Sequence, residues 1–195
     1  MANSNAPFGF SQSSTLGGGT SNYRITNRLI SSTNSTAIYY GDAVVPVTGS
    51  ANGYITQATA GTVALAGIFY GCSYQSVATK QIIYSRWWPG TTDANGDITA
   101  FVCDDPFAKF LVQASSAGFP FADVGQNAQL AVGTGATNTG FSGMYINAVS
   151  TSNTYPFIIT GVPNGPTDPV ATSGYNWLEV AFNNMIYKTG ITGIS

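Results

Sequence analysis

Residues 63–103 read VALAGIFYGCSYQSVATKQIIYSRWWPGTTDANGDITAFVC, and their pattern predicts a β-sheet protein. Three apolar runs rich in β-branched and aromatic residues, at 63–74, 81–88 and 98–103, are separated by the polar segments 75–80 and 89–97, the second of which contains Pro, Gly and Asp. Runs of this composition between turn-forming residues are typical of strands. The region therefore predicts three strands in succession.

The same pattern extends over most of the chain. No stretch repeats apolar residues at helical spacing over three turns, and only a short helical turn is predicted, near 120–127. Many short strands at intervals of about 8–12 residues predict an all-β fold, either a β-barrel or a β-sandwich, with a jelly roll as one form. Further strands are predicted at 23–30, 36–40, 43–47, 54–58, 107–114, 128–132, 144–149, 156–162 and 177–183.

The N-terminal segment 1–22 differs from the rest because it is rich in Ser, Gly and Asn and lacks apolar periodicity. Alone, such a segment is flexible, so we predict an extended N-terminal arm that a partner subunit orders. Residues 23–195 are predicted to form the β-rich domain, either as one unit or as two sub-barrels that meet near 114–127.

The charge content is low for a folded chain. Hydrophobic residues make up 44% of the 195 residues and aromatic residues 13%, enough for a core, but charged residues only 7%. An average domain has about 25%. A neutral surface of Ser, Thr and Asn favours packing against other protein. Nucleic-acid binding is disfavoured by the net charge of −2, with Arg24 and Arg28 the nearest approach to a basic cluster.

Targeting signals are not evident in the sequence. The opening MANSNAPFGF lacks the basic and apolar regions of a signal peptide, and no apolar run reaches the roughly 20 residues that span a bilayer. Synthesis in the cytoplasm is therefore expected. The two cysteines, Cys72 and Cys103, lie in apolar strands and are predicted to be buried free thiols.

Residues that could perform catalysis are few. The chain has no histidine, which excludes Ser-His-Asp and Cys-His catalysis and removes the commonest metal ligand. Asp104 and Asp105 are adjacent, and adjacent strand residues point to opposite faces, which disfavours their acting on one substrate. They precede Pro106, and we interpret them as a turn because Asp-Pro commonly opens one. Lys80 and Lys109 would need depressed pKa values to act as nucleophiles, and no feature indicates this. We predict no catalytic residue and no cofactor.

The sequence DANGD at 93–97 has some likeness to a calcium loop. Its glycine is the fourth residue, whereas a calcium-binding EF-hand loop has glycine at the sixth position and flanking helices. We favour a hairpin turn between the strand that contains Trp87 and Trp88 and the strand at 98–103. A calcium ion held between chains stays open, and no metal site is predicted within the chain.

The pair Trp87-Trp88 suggests a contact surface. On a strand, one of the two side chains faces the core and the other faces outward. An exposed Trp favours a protein interface over a sugar-binding platform, because aromatic residues dominate binding hot spots.

The order of several short motifs resembles a family of small tailed-phage virion proteins, described as head decoration, cement or structural proteins. The residues that carry the resemblance run nearly from end to end: 5–10, 41–44, 67–74, 85–89, 104–106, 110–113, 123–127, 140–143 and 156–161. The resemblance implies a β-rich protein bound to the outside of a major capsid shell, without catalytic activity.

The expected partners are then the major capsid protein and further copies of this chain, as a trimer first and a dimer next. The residues expected at these interfaces are Pro7, Phe8, Phe10, Arg24, Trp87 and Trp88. Other functions considered are a receptor- or glycan-binding tail or fibre module, a glycan-active enzyme as the weakest candidate, and a major capsid protein.

Overall fold

The structure, a computed structural model, describes residues 3–21, 23–49, 53–90, 93–163, 173–188, 190 and 193. The described residues form twelve strands and one short 3-10 helix at Phe121–Asp123. The strands are β1 (Ser11–Thr15), β2 (Thr26–Ile30), β3 (Ala43–Pro46), β4 (Ile55–Gln57), β5 (Gly67–Gln75), β6 (Ile82–Ser85), β7 (Ile98–Cys103), β8 (Ala108–Gln113), β9 (Asn127–Ala131), β10 (Tyr145–Ser150), β11 (Phe157–Gly161) and β12 (Trp177–Phe182).

Two antiparallel sheets pack against each other as a β-sandwich, which confirms the predicted all-β fold. The first sheet has the order β1-β8-β12-β11-β9-β10. The second has the order β2-β7-β5-β3-β4, and β6 pairs with the end of β5. The sheets are not closed into a barrel, so the sandwich is the correct one of the two predicted forms.

The chain passes from the second sheet to the first at the turn 104–107, between β7 and β8. Residues 114–127, where two sub-barrels were expected to meet, instead connect β8 to β9 within the first sheet. The described residues include no helix that is long and apolar enough to cross a membrane.

The core lies mainly between the sheets. Its largest cluster combines residues of both sheets, such as Ile68 of β5 and Val180 of β12. A second cluster covers the other face of the second sheet, where Phe69 packs with Trp88 and Ile98. Strand β5 contributes to both clusters, which explains why its sequence is an almost continuous apolar run.

The described part of the N-terminal segment belongs to the sandwich. Strand β1 pairs antiparallel with β8, and Phe10 is fully buried, with its ring stacked 4.4 Å from Phe157. Gly9 has φ +75°, and a Cβ there would lie 2.6 Å from the carbonyl oxygen of Gly41. Phe10 alone can contribute about 1.5–3 kcal/mol by burial, so a polar segment with one well-placed aromatic is anchored by its own chain.

Two further expectations need correction. Residues 36–40 form isolated bridges rather than a strand, because Ile38 pairs with Trp88 while Tyr40 pairs with Phe141 of a different part of the chain. Strand β3 contains Pro46, which predicts an edge position because proline cannot donate to a strand ladder, but β3 lies between β5 and β4. Its pairing with β5 ends at Val44, so Pro46 has a strand neighbour on one side only.

We predict that Phe10→Ala lowers the free energy of unfolding by about 3–5 kcal/mol, because it leaves a cavity between the sheets. Urea denaturation followed by tryptophan fluorescence measures the loss. The matched control is Phe107→Ala, whose ring is 62% exposed and whose removal should change stability by no more than about 0.5 kcal/mol. A loss as small as that of the control would contradict the anchoring role of Phe10.

Candidate interaction surface

Five residues form a cluster of one arginine and four aromatic rings at the junction of the two sheets. We name it the Arg86 cluster, and its members are Tyr39, Tyr40, Arg86, Trp87 and Phe141. Two members precede β3, two follow β6 and one precedes β10. The cluster therefore joins parts of the chain that are far apart in sequence.

Backbone hydrogen bonds bring these segments together. Ile38 and Trp88 exchange two bonds of 2.9 and 2.8 Å. The N–H of Tyr40 donates to the Gly140 carbonyl at 2.9 Å, and the N–H of Ser142 donates to the Tyr40 carbonyl at 2.9 Å. The side chains that flank these bonds are consequently held side by side.

The rings and the guanidinium are closely arranged. Tyr39 and Trp87 stack with ring centroids 5.0 Å apart and an angle of 2° between their planes. The guanidinium carbon of Arg86 lies 4.8 Å from the centre of the Phe141 ring and 5.6 Å from that of Tyr40. Both distances are within the range of a cation–π interaction. Arg86 also donates to the Thr139 carbonyl at 3.4 Å.

Two glycines make room for the rings. A Cβ at position 135 would lie 2.3 Å from the Tyr39 ring, and one at position 140 would lie 2.9 Å from Trp87. Gly140 also has φ +76°, a conformation that other residues rarely adopt. The segment that contains both glycines can thus lie flat against the aromatic rings.

Asp42 fixes the backbone below the cluster. Its carboxylate accepts hydrogen bonds from the Tyr39 N–H at 2.8 Å and from the Gln57 side chain at 2.7 Å. Burial raises the pKa of Asp42, while hydrogen bonds from Ser142, Tyr39 and Gln57 act against that increase. The aspartate holds Tyr39 in place from inside the protein.

The cluster presents a positive charge and partly exposed rings to solvent. Arg86 is exposed and Phe141 is 39% exposed, while Tyr39, Tyr40 and Trp87 are half-buried. Burial raises the pKa of Tyr40, and the charge of Arg86 acts in the opposite direction. In the described residues, the two ion pairs join Arg28 to Asp104 and Lys109 to Glu179, so neither involves Arg86.

The six residues expected at interfaces fall into three groups. Trp87 is a member of the Arg86 cluster. Trp88 and Phe10 are fully buried inside this chain, so their side chains are not on the surface and we withdraw them. The indole N–H of Trp88 donates to the Asn34 carbonyl at 3.1 Å, and its ring meets Tyr74 edge-on. Arg24 is exposed just before β2.

Pro7 and Phe8, the remaining two, lie at one end of the first sheet. The Phe8 ring meets the half-exposed Trp177 edge-on at 5.7 Å. Gln113 holds this part of the chain, because its side chain accepts from the Ala6 N–H and donates to the Ser4 carbonyl, both at 2.9 Å.

An open groove of about 400 Å³ lies beside this segment. Its lining is uncharged and includes Pro7, Ser115, Thr134, Tyr145 and Tyr175. Tyr175 has φ +61°, an uncommon conformation for a non-glycine residue. Aromatic rings and hydroxyl groups therefore dominate this second surface.

Asp104 and Asp105, which were considered for catalysis, contribute to the fold, and so does Glu179. Asp104 binds Arg28 at 2.8 Å and Thr26 at 2.8 Å. Asp105 accepts from the Phe107 N–H at 2.9 Å, which confirms the predicted turn. Glu179 lies across the outer face of the first sheet, where it binds Lys109 at 2.8 Å and accepts from Ser13 at 3.1 Å.

The loop 93–97 is a turn, but it does not form the expected hairpin, because β5 lies between β6 and β7. The Asp93 carboxylate accepts from Ser76 and from the Ala78 N–H, and Asn95 binds the end of β5 through Gln75. Among the described residues, no group of three or more His, Cys, Asp or Glu side chains could hold a metal ion.

Both cysteines are buried free thiols, as predicted. Burial raises the pKa of Cys72 to about 12 and that of Cys103 to about 11. Thiolates are the nucleophilic form, so these values leave both side chains unreactive at neutral pH.

The members of the Arg86 cluster other than Trp87 were not identified from the sequence as interface residues. Only the tertiary structure, through backbone hydrogen bonds between distant segments, brings positions 39–40, 86–87 and 141 together. The spacing of Gly135 and Gly140 before Phe141 is the one local signal, since it indicates a backbone that approaches other groups closely. Comparison of the chain with protein-family models, curated proteins and solved structures finds no match.

We predict that Glu179→Gln flattens the acid limb of the stability curve. Burial by itself raises the pKa of Glu179, but hydrogen bonds from Lys109 and Ser13 and the charge of Lys109 lower it below the ordinary 4.5 overall. The unfolded chain then binds more protons, so the stability from this group is present above the ordinary pKa and is lost as pH falls through the folded pKa.

Denaturant unfolding at several pH values between about 3 and 6 checks this sign. The wild-type free energy of unfolding should fall more steeply with decreasing pH than that of Glu179→Gln. Lys109→Met should flatten the curve as well, because it removes the cation that keeps the carboxylate ionised. A variant curve parallel to that of the wild type would show that Glu179 does not contribute.

Proposed function

We propose that this chain is a non-enzymatic structural protein of a tailed-phage virion, a capsid cement or decoration protein. It binds the outer surface of the major capsid shell and stabilises the shell across the seams between capsomers. The observation that carries the proposal is the Arg86 cluster, an exposed arginine placed over aromatic rings that are partly accessible. Trp, Tyr and Arg are the residues most enriched in protein–protein binding hot spots.

The hydrogen bonding of the acidic side chains within the chain supports a role in assembly. Each of the seven Asp and Glu side chains in the described residues accepts a hydrogen bond from another residue of this chain. The carboxylates are thus engaged in holding loops and strands together. A surface made mainly of neutral polar residues packs against another protein with little desolvation of ions.

The resemblance to phage virion proteins supports the identity of the partner. Cement proteins strengthen a shell by burying area on several neighbouring subunits, and stable interfaces bury about 1,200–2,000 Å² in total. We propose a trimer at local three-fold positions on the capsid exterior, with a dimer as the next choice, after synthesis in the cytoplasm of the host bacterium. Closed symmetric oligomers of this kind are the common form of self-association.

The second candidate function is a receptor- or glycan-binding module of a tail or fibre. It is favoured by the uncharged groove beside Pro7, whose tyrosine rings and hydroxyl groups suit a neutral, hydroxyl-rich ligand.

The number of copies per particle separates the two candidates. Quantitative mass spectrometry of purified virions should find this chain in a simple ratio to the major capsid subunit. A handful of copies would favour the tail module, and absence from the particle would contradict both.

A binding experiment tests the surface itself. Purified shells that lack this chain are mixed with the wild type or with variants, and bound protein is measured after sedimentation. We predict that Phe141→Ala weakens binding by about 30-fold or more, the effect of a hot-spot residue. The matched control is Phe121→Ala, which removes a ring of similar exposure, 46% against 39%, outside the cluster.

Arg86→Lys tests the guanidinium group specifically, because it keeps the positive charge but removes the planar group that lies over the rings. It should weaken shell binding while the thermal stability of the protein changes little. If Phe141→Ala and Phe121→Ala bind shells equally well, the Arg86 cluster is not the contact surface.

A further inference from the structure

Strand β6 is an edge strand with one uncovered side. It pairs with β5 through Ile82–Gln75, Ile83–Tyr74, Tyr84–Ser73 and Ser85–Cys72. No other strand of the described residues pairs with it. The far edge of β6 can therefore accept a further strand through backbone hydrogen bonds, the mode called β-augmentation.

The side chains of β6 are unusually exposed. Ile82 is 65% exposed and Tyr84 is 76% exposed, the two highest values among the large hydrophobic side chains of the described residues. Alternation along a strand places both on the same face. An added strand would cover part of both side chains, so apolar area and backbone bonds would stabilise the same complex.

A basic residue stands at each end of this strand. Lys80 is exposed in the turn before β6, where its N–H donates to the Ser76 carbonyl at 3.0 Å. Arg86 follows the strand directly and is exposed in the Arg86 cluster. Two of the six cations of the chain thus flank five uncharged residues, 81–85.

These charges oppose pairing with a second copy of the same strand. An antiparallel pair centred on Ile83 would set Ile82 opposite Tyr84 of the other copy, but it would also set Lys80 opposite Arg86 at both ends. Like charges directly opposite each other on neighbouring strands are destabilising, and charged residues at exposed edges are a common protection against self-pairing. The charge pattern instead complements a strand with acidic ends.

We propose that β6 binds an extended segment of a different protein chain, with alternating apolar residues at its centre and an acidic residue near each end. The added strand lies along the free edge of β6, its apolar side chains cover Ile82 and Tyr84, and its carboxylates face Lys80 and Arg86. This inference does not rest on the capsid role, because it follows from the strand, its exposure and its flanking charges.

The experiment uses the full chain and two short peptides that differ only at their ends. One is acetyl-Asp-Thr-Val-Thr-Val-Thr-Asp-amide, which places Val opposite Ile82 and Tyr84 when its Asp residues face Lys80 and Arg86, and the other has Lys in place of both Asp residues. Fluorescence anisotropy of labelled peptide measures binding, and hydrogen exchange of the protein locates it. We expect the acidic peptide to bind more tightly and to slow amide exchange in residues 82–85.

Variants separate the contributions of charge and apolar contact. Lys80→Glu should weaken binding of the acidic peptide about two- to fivefold, the size of a single cross-strand charge pair, and should improve binding of the lysine peptide. Tyr84→Ala should weaken binding of both peptides, whereas Phe107→Ala, which removes an exposed ring outside β6, should not.

Equal binding of the two peptides would overturn the proposal. So would a result in which amide exchange slows only in residues outside β6. Shell binding by Phe141→Ala is a separate measurement on a residue outside β6. The peptide experiment can therefore fail without affecting the test of the capsid role.

Discussion

Packing of aromatic rings between the two sheets is the interaction on which the rest of this structure depends. Phe10 stacks on Phe157 at 4.4 Å, and Phe110 meets both Phe10 and Phe182 edge-on, at 6.5 and 5.0 Å. The four rings come from the N-terminal segment and from β8, β11 and β12. They hold the first sheet together on its inner face and place the N-terminal residues, including Phe8, along its end. Because only 7% of the residues are charged, apolar contacts such as these supply the main cohesion of the sandwich.

The low charge content gives the remaining charges separate roles. Arg28 and Lys109 are paired with carboxylates across neighbouring strands, so they stabilise the sheets. Arg86 and Lys80 are exposed around β6 instead. The Arg86 cluster and the edge of β6 share Arg86 and adjoin each other along the chain. The two proposed contacts therefore lie in one region of the surface. Aromatic rings form the contact at one end of this region, and the backbone edge of β6 forms it at the other.

The strand pattern was largely predictable from the sequence. The predicted strand at 98–103 coincides with β7, and that at 107–114 contains β8, because both alternate between buried and half-buried residues in the way that local patterns reveal. The predictions that were wrong, for 36–40 and 93–97, share a different cause. The segment 36–40 looks like a strand but pairs with two separate partners, and the loop at 93–97 resembles a hairpin turn although β5 lies between the strands it connects. Pairing partners distant in sequence leave no local pattern.

Composition and short-range pattern by themselves determined the all-β class, the free buried thiols, the turn at Asp104-Asp105-Pro106 and the low-charge surface, because each of these follows from residue type and nearest neighbours. Only the tertiary structure decided that the N-terminal segment is anchored by Phe10, that Trp88 is buried while Trp87 is partly accessible, and that Arg86 lies over Phe141. The physical reason is that burial and ring contacts depend on which strands become neighbours across the sandwich, and that choice is made by the packing of the whole core.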